Sequence, residues 1–271
     1  MSTDTDKETI LYKVDSNVAV ITFNRAERNN SMTRQMQKEY FDSLDRASQD
    51  PEVRSIVVTG AGKSFCVGAD MDDLATLDPE EAAKLEQDRR VTAHATMIPK
   101  PVIAAINGPC AGLGFVHAVA CDIRFAAAGI KLTTAFARRG LIAEHGVSWL
   151  LPNQIGVARS LDLLLSARIV VSEEALELGL VNRIVQQDSV LDEAIAYAQD
   201  IATHCSPRAM AVMKEQIYGD QDKIFAEVND RANALMQKSF QWPDLKEGVA
   251  SWIERRPPQF PPFRVEDLPR S

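Results

Sequence analysis

Two short apolar runs constrain this chain more than any other feature. They are Ser55-Ile-Val-Val-Thr59 and Val102-Ile-Ala-Ala-Ile106. Neither shows a helical period, and each ends in a glycine-bearing turn, "GAGKSFCVGAD" after the first and "NGPCAGLG" after the second. Runs of this kind suit strands buried on both faces. Strands of that kind need helices covering the sheet, which points to an α/β fold. A chain of 271 residues, 45% of them hydrophobic, has material for one large core with a smaller appendage.

The remaining elements fit that frame. Val18–Phe23 reads as a strand, followed by the polar loop "NRAERNNS". Met32, Met36, Tyr40, Leu44 and Ala47 mark one helical face, with Pro51 beyond its end. Asp78-Pro79-Glu80-Glu81 reads as the start of a helix running to about Met97. A helix over about Phe115–Ala120 follows the second glycine turn, then strands at Ile123–Ala127 and Lys131–Thr134. From Ser172 the chain is mostly helical, with Ser172 and Ser206-Pro207 as N-cap signals and Gly179 as a C-cap signal. A strand over Leu180–Val185 interrupts this, and from about Ser206 the pattern is a helical appendage with a proline-rich tail.

Composition removes several classes of function. The net charge is −8 and no basic stripe occurs, so no nucleic-acid surface is expected. The polar start "MSTDTDKETI" lacks the apolar segment of a secretory signal. No run of about eighteen apolar residues occurs, so no membrane helix is expected. Cys66, Cys110, Cys121 and Cys205 form no CxxC pair and read as buried, reduced thiols of a cytoplasmic protein. The four histidines show no HxxxH or HExxH spacing, so no metal site is expected. "GAGKS" looks like a phosphate loop, but the first glycine of that motif would fall on Val57, inside the strand. Lys63 and Ser64 then become surface-turn residues. What remains is two strand-then-glycine turns. They are either ordinary tight turns or a pair able to aim two backbone N–H groups at one point, as an oxyanion hole requires.

At this level of detail the sequence resembles the crotonase superfamily, the enoyl-CoA hydratase/isomerase family. The matching pieces are "NRAERNNSM", "SIVVTGAGKSFCVGADM", "PKPVIAAINGPCAGLGF", "CDIRFAA", "ALELGLVNRIV" and "EGVASWIERRPPQF", in the family's order and spacing. The resemblance implies an α/β, crotonase-like ββα spiral over residues 1–205 and a C-terminal helical trimerisation region over 206–271. It implies a homotrimer or a dimer of trimers. It implies an acyl-CoA thioester as substrate, with no separate cofactor because CoA is part of that substrate. It assigns the two enolate-stabilising N–H groups to Ala69 and Leu113. It makes Gly68, Ala69, Asp70, Met71, Asp72, Gly112 and Leu113 substrate-binding, with Ala69 to Asp72 where the family contacts the CoA and acyl portion. Glu27, Arg28 and Asn29 lie toward the adenine and phosphates.

The sequence departs from the family's hydratase pattern at both glutamates that handle water. Those positions hold Val116 and Phe136, neither of which accepts a proton. Glu144, in "GLIAEHGVSW", occupies a place where relatives with other chemistry carry an acid, and it is the candidate acid/base. Its competing reading is a cap on the helix over Gly146–Leu151. His117 reads as a core histidine. His145, adjacent to Glu144, has no evident reason to point the same way. Phe136 and Trp149 line the acyl pocket or the core. Arg138-Arg139 and Arg255-Arg256 read as solvated pairs, with CoA phosphates as the alternative. The expected function is an acyl-CoA hydratase/isomerase-family enzyme. Its alternatives are an enoyl- or dienoyl-CoA double-bond isomerase and a non-catalytic CoA-binding member.

Overall fold

The computed structural model describes residues 8–75 and 90–268. Strands β1 (Ile10–Asp15) and β2 (Val18–Phe23) form an antiparallel hairpin. Helix α1 (Arg34–Gln49) follows, then β3 (Ser55–Gly60), α2 (Met71–Ala75) and β4 (Val102–Ile106). Next come β5 (Cys110–Ala111), α3 (Leu113–Ala120), β6 (Ile123–Ala127) and β7 (Lys131–Thr133). Helices α4 (Val147–Ile155) and α5 (Val157–Ser166) precede β8 (Val170–Val171), α6 (Ser172–Leu178) and β9 (Arg183–Val185). The chain ends in α7 (Val190–His204), α8 (Pro207–Gly219), α9 (Phe225–Ser239) and α10 (Pro243–Glu254).

The larger sheet runs β1-β2-β3-β4-β6-β9, parallel except for the β1–β2 pair. Every residue of β3 and β4 is buried, as strands covered on both faces must be. Each fully buried valine or isoleucine there contributes about 1.5–3 kcal/mol relative to exposure. After each crossing of this sheet the chain makes a second, shorter strand-like contact. Met32 bridges Ala69, Cys66 bridges Cys110, and β5 pairs in parallel with β7. A long strand, a short one and then a helix therefore repeat along the chain, which is a ββα spiral.

Small residues let α7 sit close on the large sheet. Ala194, Ala198 and Ala202 are buried, and Ser55 Oγ donates to the Ala198 carbonyl at 3.0 Å. The C-terminal helices are tied to this body. Lys214 of α8 inserts its ammonium against Asp122 Oδ2 at 2.6 Å and the carbonyls of Ala95 and Lys100. Arg54 holds the carbonyl of Phe260 in the tail.

Several expectations need correction. The helix expected from Asp78 lies mainly outside the described residues, and its expected end is only a 3-10 turn at His94–Met97. The strand expected over Leu180–Val185 is confined to Arg183–Val185, because Leu180 and Val181 form the buried turn behind Gly179. Ser172 is the first residue of α6 rather than its cap, whereas Ser206 does cap α8 by accepting from Ala209 N–H. Met32 precedes α1 and sits in the bridge to Ala69. Ser64 is buried, not a surface residue, since Asn30 draws in its carbonyl and Asn29 accepts from its hydroxyl. Cys205 is half-buried while the other three thiols are buried. Strand β1 was not foreseen: it is an edge strand, half exposed, with no clean alternation.

Candidate functional site

The two glycine turns meet. Ala111 N–H donates to the Cys66 carbonyl at 3.0 Å, so the Cys66–Ala69 segment and β5 lie side by side. A Cβ on Gly114 would stand 2.2 Å from the Cys66 carbonyl oxygen, so only glycine permits this approach. Gly112 has φ +53° and ψ −119°, a backbone region that side chains rarely enter. It packs against Gly68, whose Cα would lie 3.6 Å from a Cβ placed on Gly112.

This packing sets two backbone donors. Met32 accepts from Asp70 N–H at 2.9 Å and donates to the Gly68 carbonyl at 2.8 Å. In that parallel bridge Ala69 lies between the two bonds, so its own N–H turns away from Met32. Leu113 opens α3, and a first-turn N–H has no partner within its helix. Among the described residues neither N–H has a protein acceptor. The α3 dipole adds partial positive charge at Leu113.

Ala69 and Leu113 line one cleft of about 810 Å³. The same cleft brings together Glu27, Arg28, Asn29, Gly68, Asp70, Met71, Asp72, Gly112, Phe136 and Glu144. At its rim Arg28 and Asp72 form an exposed ion pair. Asn29 and Asn30 take left-handed backbone that closes the 26–30 turn. Behind Ala69, Asp70 accepts from Ser31 Oγ at 2.8 Å and Arg25 at 3.0 Å, and from Asp72 N–H at 3.0 Å. Burial pushes the Asp70 carboxyl up, but these donors outweigh it and hold it below the usual carboxylate range.

Val116 is buried in α3 and faces no solvent, while Phe136 is buried against the cleft wall. Glu144 is half-buried, and its carboxylate makes no capping bond to α4, whose N-cap is Gly146. The capping reading therefore fails. His145 also lines the cleft, with Nε2 3.7 Å from Glu144 Oε2 and Nδ1 3.0 Å from Thr92 Oγ1. Burial lowers the His145 pKa, with Glu144 opposing. His117 is a core histidine ringed by Phe23, Tyr40 and Phe41. Burial, with His145 adding, pushes its pKa down to about 3. Trp149 is about half exposed and belongs to neither the core nor the cleft, because its face of α4 points outward.

Sequence reasoning missed several lining residues, among them Met32, Gln37, Ala135 and Arg139. Ala135 has φ +62°, which no alanine announces in a sequence. Arg139 is exposed, as its solvated reading expects, and the 3-10 turn at Ala137–Arg139 also places it on the cleft. Among the described residues no group of three or more His, Cys, Asp and Glu side chains is arranged to hold a metal. Among them, too, no helix is long and apolar enough to cross a membrane.

Comparison with known proteins shows the family and the fold. Residues 13–262 match the family described as enoyl-CoA hydratase/isomerase. The 1,2-epoxyphenylacetyl-CoA isomerase of Escherichia coli strain K12 is 32% identical over 93% of this chain and 98% of its own. The crystal structure of the enoyl-CoA hydratase from Bacillus anthracis superposes with a TM-score of 0.88 at 29% identity, covering 94% of this chain and 99% of that one. That of an enoyl-CoA hydratase from Mycobacterium marinum is 46% identical, with a TM-score of 0.69, over 80% of this chain and all of that one (100%). With its ββα spiral and the match over most of its length, the chain belongs to the enoyl-CoA hydratase/isomerase family, within the crotonase superfamily.

Proposed function

We propose that this enzyme moves a proton on an acyl-CoA thioester, as in double-bond isomerisation, and does not add water. The observation that carries the proposal is the make-up of the cleft around Glu144. Glu144 faces the cleft and caps no helix, and by the family resemblance the two positions where hydratases place glutamates hold Val116 and Phe136.

In this reading the thioester carbonyl oxygen sits between the N–H groups of Ala69 and Leu113. Abstracting a proton next to that carbonyl places negative charge on the oxygen, and each pre-aimed donor lowers the barrier by about 3 kcal/mol. Glu144 takes the proton and, after exchange with solvent at the open cleft, delivers a proton to another carbon of the acyl chain. Phe136 supplies an apolar wall in place of a water-binding acid. Met71, Asp72 and the Glu27–Asn29 turn receive the CoA portion. CoA enters and leaves as part of the substrate, so no separate cofactor takes part. A homotrimer or dimer of trimers, built through the helical region 206–271, completes the proposal.

A non-catalytic CoA-binding role is the second reading, motivated by the same two replaced acids. Incubation with trans-2- and trans-3-hexenoyl-CoA in deuterated water separates the readings. The proposal expects double-bond migration with deuterium incorporation. A 3-hydroxyacyl-CoA product would overturn it in favour of hydration. Calorimetric binding of these esters without turnover would favour the non-catalytic role.

A further inference from the structure

His145 is adjacent to Glu144 in sequence, and adjacent side chains in a turn commonly diverge. Here they do not. His145 takes left-handed backbone, φ +60°, and both side chains face the same cleft. A non-glycine residue in that region is held there by its contacts, and strain of this kind gathers at functional sites.

The contacts form a directed chain. Gln37 Nε2 donates to Thr92 Oγ1 at 3.3 Å. The Thr92 hydroxyl keeps its own proton and lies 3.0 Å from His145 Nδ1. Where that proton is donated to Nδ1, the neutral ring carries its hydrogen on Nε2. Nε2 is the nitrogen that faces Glu144 Oε2, at 3.7 Å.

We propose that His145 is a positioning residue for Glu144: its Nε2–H holds the carboxylate in one orientation in the cleft, and Thr92 and Gln37 hold the ring. The inference rests on the reading of Glu144 as the acid/base. At 3.7 Å the contact is longer than a hydrogen bond, and such contacts commonly tighten once substrate fills a site. Burial disfavours the charged form of the ring, with Glu144 opposing, and the proposed role needs only the neutral Nε2–H donor. The ionisable groups that interact with it are Glu144 and His117 of α3, while Arg34, Asp73 and Arg139 line the same cleft. His117 is held neutral by burial and does not compete for the carboxylate. A histidine and its orienting hydroxyl thus stand to Glu144 as the third group of a catalytic triad stands to its base, by fixing tautomer and direction.

A donor to the carboxylate favours its ionised form, so losing that donor raises the pKa at which activity falls on the acid side. In isomerisation of trans-3-hexenoyl-CoA, His145→Leu should lower kcat about tenfold with KM nearly unchanged. The acid limb of its kcat profile should move to higher pH. His145→Gln, which keeps a terminal N–H donor, should recover much of the loss. Independently of turnover, 15N NMR of the free enzyme should show the Nε2–H tautomer at His145, and Thr92→Val should weaken that preference. An Nδ1–H tautomer would overturn the proposal, as would a His145→Leu enzyme with wild-type kcat and an unmoved acid limb. It also falls if His145→Gln is no better than His145→Leu. Wild-type kcat in Glu144→Gln would instead sink the acid/base reading, while the tautomer result would still stand on its own.

Discussion

Asp70 sits one residue beyond the Ala69 N–H, and its carboxylate is tied to Arg25, Ser31 and the Asp72 backbone at once. Its backbone N–H is bound to Met32 as well, so this residue fixes the direction of the peptide before it. The folded pKa of Asp70 lies below its unfolded value. The stability it contributes is therefore present above the unfolded carboxylate value, near pH 4, and lost as pH falls toward the folded value. Asp70→Asn should lower stability at neutral pH and flatten the loss on acidification below about pH 4. Urea denaturation across pH 3 to 7 measures this, and an acid limb as steep as wild type would count against it. Glu144, by contrast, carries no comparable network, and the one ionisable side chain within 4 Å of its carboxylate among the described residues is His145, at 3.7 Å. A carboxylate left open in a cleft can exchange protons with a ligand, whereas Asp70 is committed to structure.

At the scale of elements, the close pairing of the two glycine turns depends on Gly114. Its missing side chain lets β5 and the start of α3 lie against Cys66. Gly114→Ala must push these segments apart. Overpacking of this kind costs about 1–3 kcal/mol. Displacing the Leu113 N–H by about an ångström should also cost about a hundredfold in kcat/KM. Thermal unfolding and steady-state kinetics on the same variant check both effects, and an unshifted kcat/KM would show that Leu113 N–H does not serve the reaction. This pairing explains what the sequence shows readily. β3 and β4 are apolar runs with glycine turns behind them, and burial on both faces leaves them little other meaning. The edge strand β1 is half exposed and carries no such signature. Gln37 of the cleft and Thr92, buried behind it, are ordinary polar residues 55 positions apart, and only the folded chain brings them together. Trp149 shows the opposite limit, because a large aromatic near a site motif reads as lining yet faces outward.

At the scale of the molecule, the spiral core and the C-terminal helices share an ion pair, Lys214 with Asp122, and those helices leave several large apolar side chains exposed. Phe225 is 82% exposed, Trp252 86% and Ile253 72%. Apolar side chains this exposed are candidates for an association surface. The proposed trimer or hexamer through this region predicts a solution mass three or six times that of the chain. The double variant Phe225→Glu with Trp252→Glu should shift that mass toward the monomer. Light scattering after size exclusion reads both, and a monomeric wild-type protein would contradict the assembly.

The central claim is that Glu144 moves the proton while the Ala69 and Leu113 N–H groups hold the enolate. Its most direct measurement is solvent deuterium incorporation into trans-3-hexenoyl-CoA, followed by mass spectrometry for the wild type and Glu144→Gln. Glutamine keeps the shape of the side chain but cannot accept the proton. The account predicts incorporation by the wild type and a loss of about 100-fold or more in the variant, with calorimetric binding of the ester retained. Incorporation at the wild-type rate in Glu144→Gln would contradict it.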